Sequence, residues 1–92
     1  MNPFTKILVV EDDPASAKLV TYHLRMMGFK NTTEVADGDS ALEHLKKEKV
    51  DLVIADWHMP NMNGLSLFRA LREEELWQAI PFLMITLEKD DE

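Results

Sequence analysis

Short apolar runs and amphipathic stretches alternate along this chain, and that alternation leaves few folds open. Lys6-Ile7-Leu8-Val9-Val10 is apolar and rich in β-branched residues, which suits a buried strand. Asp51-Leu52-Val53-Ile54-Ala55 and Phe82-Leu83-Met84-Ile85-Thr86 repeat the pattern, and Thr33-Glu34-Val35-Ala36 is a weaker version. Continuous apolar runs suit strands covered on both faces. Stretches of helical period lie between them. Asp13 is a capping acceptor followed by a proline at the first helical position. The helix begun at Pro14 places Leu19, Val20, Leu24 and Met27 along one side and stops near Gly28. A second helix starts at Asp39 or Ser40, with Ala41, Leu42 and Leu45 as its apolar stripe. A third follows Asn63-Gly64, turning Leu67, Phe68 and Leu71 inward and Arg69, Arg72, Glu73 and Glu74 outward. The order βαβαβαβ predicts a parallel α/β sheet with right-handed crossovers and helices on both faces.

Composition narrows the function. A chain of 92 residues with 46% apolar and 29% charged content reads as one soluble globular domain, residues 1–92. No apolar run is long enough to span a bilayer, and Met-Asn-Pro-Phe-Thr-Lys lacks a signal-peptide pattern. The absence of cysteine closes thiolate and disulfide chemistry. A formal net charge of −7 argues against nucleic acid, which needs a basic face. The expectation is a cytoplasmic protein with neither a nucleic-acid nor a membrane partner.

Ligands of open parallel sheets gather at the carboxyl ends of the strands. There the first run leads into Glu11-Asp12-Asp13, the third into Asp56-Trp57-His58-Met59-Pro60, and the fourth ends at Thr86. Neighbouring strands lie about 4.8 Å apart, so the acids would share a small pocket. Clustered carboxylates repel one another. A hard divalent cation answers that repulsion, and Mg²⁺ fits because it accepts one or two carboxylates and keeps positions for water or phosphate oxygens. Each acid alone has an ordinary explanation as a helix cap or turn residue. Asp13, beside Pro14, is assigned to capping; Glu11, Asp12 and Asp56 together call for more. The histidines at 23, 44 and 58 lack a ligand pattern, and the paired Met26-Met27 read as core filling.

Ile7 to Pro14, the segment from Asp51 to Gly64, and Ile80 to Thr86 resemble, in order, the opening, the phosphorylation segment and the fourth strand of response regulator receiver domains. Trp57 followed by His58-Met59-Pro60-Asn61-Met62 is most similar to chemotaxis-type single-domain regulators. The resemblance implies a flavodoxin-like, doubly wound sheet with strand order 2-1-3-4. It implies two-component signalling, in which Asp56 accepts a phosphoryl group from a histidine kinase or small phosphodonor, and a regulatory phosphoacceptor domain, not an enzyme. Asp12 would bind Mg²⁺ directly, Glu11 through water, and Asp56 and the main-chain carbonyl of His58 would complete the ligands. The Thr86 hydroxyl would sense the phosphoryl group.

After Thr86 the sequence reads Leu87-Glu88-Lys89-Asp90-Asp91-Glu92, where the family continues with a helix, a fifth strand and a last helix. The family lysine that pairs with the phosphoryl group follows that fifth strand. Lys89 belongs to the wrong element, so no residue receives that role. The expectation is a receiver truncated after its fourth strand, impaired in phosphoryl transfer, and inclined to homodimerise or otherwise self-associate through the exposed strand edge and the first helix. A phosphate-independent interaction or assembly module on the same scaffold is the alternative. A haloacid-type phosphatase would carry a second aspartate two residues beyond the nucleophile, where this chain has His58.

Overall fold

The apolar runs form the strands of one sheet. In a computed structural model, which describes residues 2–59 and 62–86, these are β1 (Lys6–Val10), β2 (Asn31–Val35), β3 (Leu52–Asp56) and β4 (Phe82–Ile85). Their order is β2-β1-β3-β4 and every pairing is parallel. The helices are α1 (Pro14–Met26), α2 (Gly38–Lys47) and α3 (Gly64–Arg72). The expected element order and strand order are both observed. Pro60, placed at the turn after the third strand, and the charged run at 87–92 lie outside the described residues.

Strand alternation divides the core between the two faces. Leu8, Val10, Val53 and Ala55 point to one side, where Ala41 and Leu45 of α2 and Leu67 and Leu71 of α3 cover them. Ile7, Val9 and Ile54 point to the other, against Leu24 of α1 and Phe29. A side chain between two packed layers contributes about 1.5–3 kcal/mol through burial, which is why the central runs are continuously apolar.

Polar side chains set the helix starts. The Asp13 carboxylate accepts from Ser16 N at 3.2 Å and from the Ser16 hydroxyl at 2.6 Å, confirming its capping role. Asn63 caps α3 through Ser66 N at 2.9 Å. The second helix starts earlier than Asp39 or Ser40: Asp37 is its cap, accepting from Ser40 N at 2.7 Å. α1 ends as expected. Gly28 takes a φ of +100°, a conformation open to glycine and strained for other residues.

Two readings of α1 are corrected. Leu19 and Met27 are exposed, as is Met26, while Ala17, Thr21 and Leu24 make the buried stripe. The apolar residues of this helix extend around more than one side, and the sheet covers only the side carrying Ala17 and Leu24. The methionines there are surface residues and not core filling.

Candidate functional site

β1 and β3 lie side by side, with Val10 opposite Ala55, so the residues that follow them emerge together. Glu11 remains tied to the sheet because its N–H donates to Val35 O at 3.0 Å. Its side chain is 3% exposed, and its Oε2 accepts from Asp13 N at 2.8 Å. Asp56 is the last residue of β3, pairs in register with Ile85, and is wholly buried. Its Oδ1 accepts from His58 N at 3.3 Å, folding the chain into a turn directly after the strand. Asp12 is exposed.

The expected convergence is real. Glu11, Asp12 and Asp56 each present a carboxylate oxygen, and the three atoms lie within 4.8 Å of one another. Two oxygens on opposite sides of a Mg²⁺ ion are about 4.2 Å apart, so small side-chain movements bring this set into range. Two of the acids sit in the protein wall and the third opens to solvent, which leaves a route of entry. The donor set suits a hard, oxygen-seeking cation, and burying like charges this close favours one.

Backbone contacts hold the segment after β3 against the sheet. Trp57 N donates to Ile85 O at 2.8 Å, prolonging the ladder between β3 and β4 by a residue. Gly64 N donates to Trp57 O at 3.2 Å. A Cβ on Gly64 would stand 2.7 Å from the Asp56 carbonyl oxygen and 3.1 Å from Met84 Sδ. Sequence reading placed Gly64 at a helix start and at the end of the segment that resembles the family's; its closeness to the Asp56 backbone was missed. A glycine at the first position of a helix behind a strand-end acid was the available signal.

A sequence model of the family described as "Response regulator receiver domain" matches residues 7–92. The chain belongs to the response regulator receiver domain family. This receiver is 43% identical over 88 residues to chemotaxis protein CheY-3 of Vibrio cholerae, covering 96% of this chain and 68% of that protein. Among solved structures it is similar to the receiver domain of a signal transduction histidine kinase from Syntrophus aciditrophicus, with a TM-score of 0.85, 33% identity, and 95% and 65% of the two chains covered. It is also similar to the receiver domain of the sensor histidine kinase PA1611 of Pseudomonas aeruginosa, whose active site cleft holds a coordinated magnesium ion. There the TM-score is 0.81, the identity 30%, and the coverage 90% and 67%. The receiver thus spans about two thirds of the length of these relatives. It is a CheY-type two-component receiver domain with a flavodoxin-like fold, and among its described residues no helix is long and apolar enough to cross a membrane.

The other residues singled out in the sequence fall around the acidic cluster. Thr86 is exposed, one residue beyond the Ile85 that pairs with Asp56. The ring of His58 is exposed and Trp57 is 40% exposed, both as expected of neighbours of the site. His23 and His44 lie on α1 and α2, outside the acidic cluster.

Proposed function

We propose that this receiver accepts a phosphoryl group on Asp56 from a histidine kinase or a small phosphodonor, with Mg²⁺ as its cofactor. The observation that carries this is the burial of Asp56 at the end of a central strand, with carboxylate oxygens of Glu11 and Asp12 within 4.8 Å. Asp12 and Asp56 would hold the ion directly, Glu11 through water, and the His58 main-chain carbonyl would add a further oxygen. When bound, Mg²⁺ neutralises the carboxylates and the phosphoryl oxygens during transfer.

The chain's own part is alignment. The turn bond from His58 N holds one Asp56 oxygen, which orients the carboxylate for in-line attack on phosphorus. A bond forms between an Asp56 oxygen and phosphorus, the donor's bond to phosphorus breaks, and its electron pair leaves with the donor. Thr86, one residue beyond the Ile85 that pairs with Asp56, donates its hydroxyl to a phosphoryl oxygen and so reports the modification. The domain is a regulatory acceptor in the cytoplasm, not a turnover enzyme. We also propose that the chain self-associates, since Leu19, Tyr22, Met26, Leu76 and Leu83 all stand exposed.

Incubation with acetyl phosphate and Mg²⁺, followed by intact mass, tests the acceptor. The expected result is labelling that disappears in Asp56→Asn and on removal of the metal. Labelling that persists in Asp56→Asn would place the acceptor elsewhere. No labelling of the wild-type chain with Mg²⁺ present would overturn the reading.

A further inference from the structure

The amino ends of the strands, opposite the acidic site, carry a surface that phosphoryl chemistry does not use. Lys46 and Lys47 at the end of α2, with Glu48 and Lys49 just beyond, border a cavity of about 380 Å³. Leu76, Trp77 and Ile80, from the connection between α3 and β4, line its other side. Directly before them come Glu73, Glu74 and Glu75, all exposed. Leu76 is 85% exposed, the most open of the large apolar side chains among the described residues.

The connection is held in shape. Arg72 lies over the Phe68 ring at 4.7 Å and donates to Ile80 O at 2.9 Å and Trp77 O at 3.4 Å. Trp77 N donates to Glu74 O at 3.0 Å and Ile80 N to Trp77 O at 3.1 Å. Leu76 is therefore presented on an ordered turn, and a contact made through it needs little further ordering. The one ion pair among these lysines, Lys46 with Glu43 at 3.5 Å, is exposed on both sides and easily exchanged.

The surface thus has a mainly basic part, three lysines with Glu48, and an apolar part that the chain enters from three exposed glutamates. A two-fold axis through the apolar part sets the basic part of one copy against those glutamates of the other, which is the self-complementarity an isologous interface requires. We propose that this patch is where a second copy of the chain docks, with Leu76 of each copy entering the other's cavity and Glu73–Glu75 facing Lys46, Lys47 and Lys49. This rests on the self-association proposed above and names its surface. An acidic peptide from another protein fits less well, because Glu48 at the cavity and the glutamates that precede Leu76 in the chain repel it.

Two charge reversals decide the matter. One carries Lys46→Glu, Lys47→Glu and Lys49→Glu; the other carries Glu73→Lys, Glu74→Lys and Glu75→Lys. All six positions are exposed, and circular dichroism confirms that each variant folds. In sedimentation across a concentration series, the wild-type chain forms a reversible dimer. Each reversed chain alone associates at least about tenfold more weakly, and an equimolar mixture of the two regains the dimer. Leu76→Ala also weakens the dimer. A wild-type chain that stays monomeric throughout would overturn both this surface and the self-association reading. A dimer indifferent to both reversals, but lost in Leu83→Lys on the outer edge of β4, would keep self-association and overturn the patch.

Discussion

β1 and β3 bury every residue but the first, whereas β2 and β4 leave most of theirs partly or fully exposed. The inner strands are covered by helices on both faces and by strands on both edges; among the described residues each outer strand has a strand neighbour on one edge only. The difference teaches where a site of clustered charge can be held. Glu11 follows β1 and Asp56 ends β3, the two strands with neighbours on both edges, so carboxylates that repel one another are kept close by the packing behind them. Thr86 follows an outer strand, where a shift of the chain disturbs less. On the proposed reading, acceptance belongs to the doubly covered middle of the sheet and response to its less covered edge.

Truncating one leucine in each class measures the contrast. Leu8 in β1 is fully buried and Leu83 in β4 is 51% exposed. Leu8→Ala is expected to lower stability by about 3 kcal/mol and Leu83→Ala by less than about 0.5 kcal/mol in urea unfolding. Equal losses would break the division between inner and outer strands.

Gly64→Ala tests the rigidity around Asp56. The added methyl meets the Asp56 carbonyl and must displace the helix start or the strand end, at a cost of about 2 kcal/mol. It should also slow phosphoryl labelling. Unchanged labelling alongside the stability loss would mean that the acceptor's position is less tightly held than the packing implies.

Asp56→Asn should act in the opposite direction. Without metal, removing one of three converging carboxylates relieves repulsion and raises stability by about 1 kcal/mol. Millimolar Mg²⁺ should stabilise the wild-type chain more than this variant, closing the gap. Equal stabilisation of both would mean that the ion binds away from Asp56.

The smallest effect lies at the start of α2. The backbone N–H of Ser40, and then its hydroxyl, hold the Asp37 carboxyl below its ordinary value of 3.8. A lowered carboxyl contributes its stability above the ordinary value and loses it as pH falls through the folded-state value. The advantage of wild type over Asp37→Ala should therefore be full at neutral pH and shrink in acid below that range. A gap that widens in acid would contradict the assignment.

Much of this was legible in the sequence. Asp13-Pro14 and Asn63-Gly64 announced two helix starts because capping is local chemistry. Asp37 was overlooked because Asp39 and Ser40 offer equally good caps, and only the path of the chain from β2 selects among them. The exposure of Leu19, Met26 and Met27 was misread for a related reason: an apolar residue on a helix is buried only where a neighbouring element covers it.

By itself, the sequence determined the alternating elements, the parallel sheet and the chemical identity of the site residues. Each of these follows from short-range patterns of apolar period, capping side chains and acids at strand ends. Only the tertiary structure decided that oxygens of Glu11, Asp12 and Asp56 stand within 4.8 Å, and that Gly64 lies against the Asp56 backbone. It alone set Lys46, Lys47 and Lys49 around one cavity with Leu76 and Trp77. Those groups are far apart along the chain, and their proximity depends on strand register and helix seating, to which many weak contacts contribute at once.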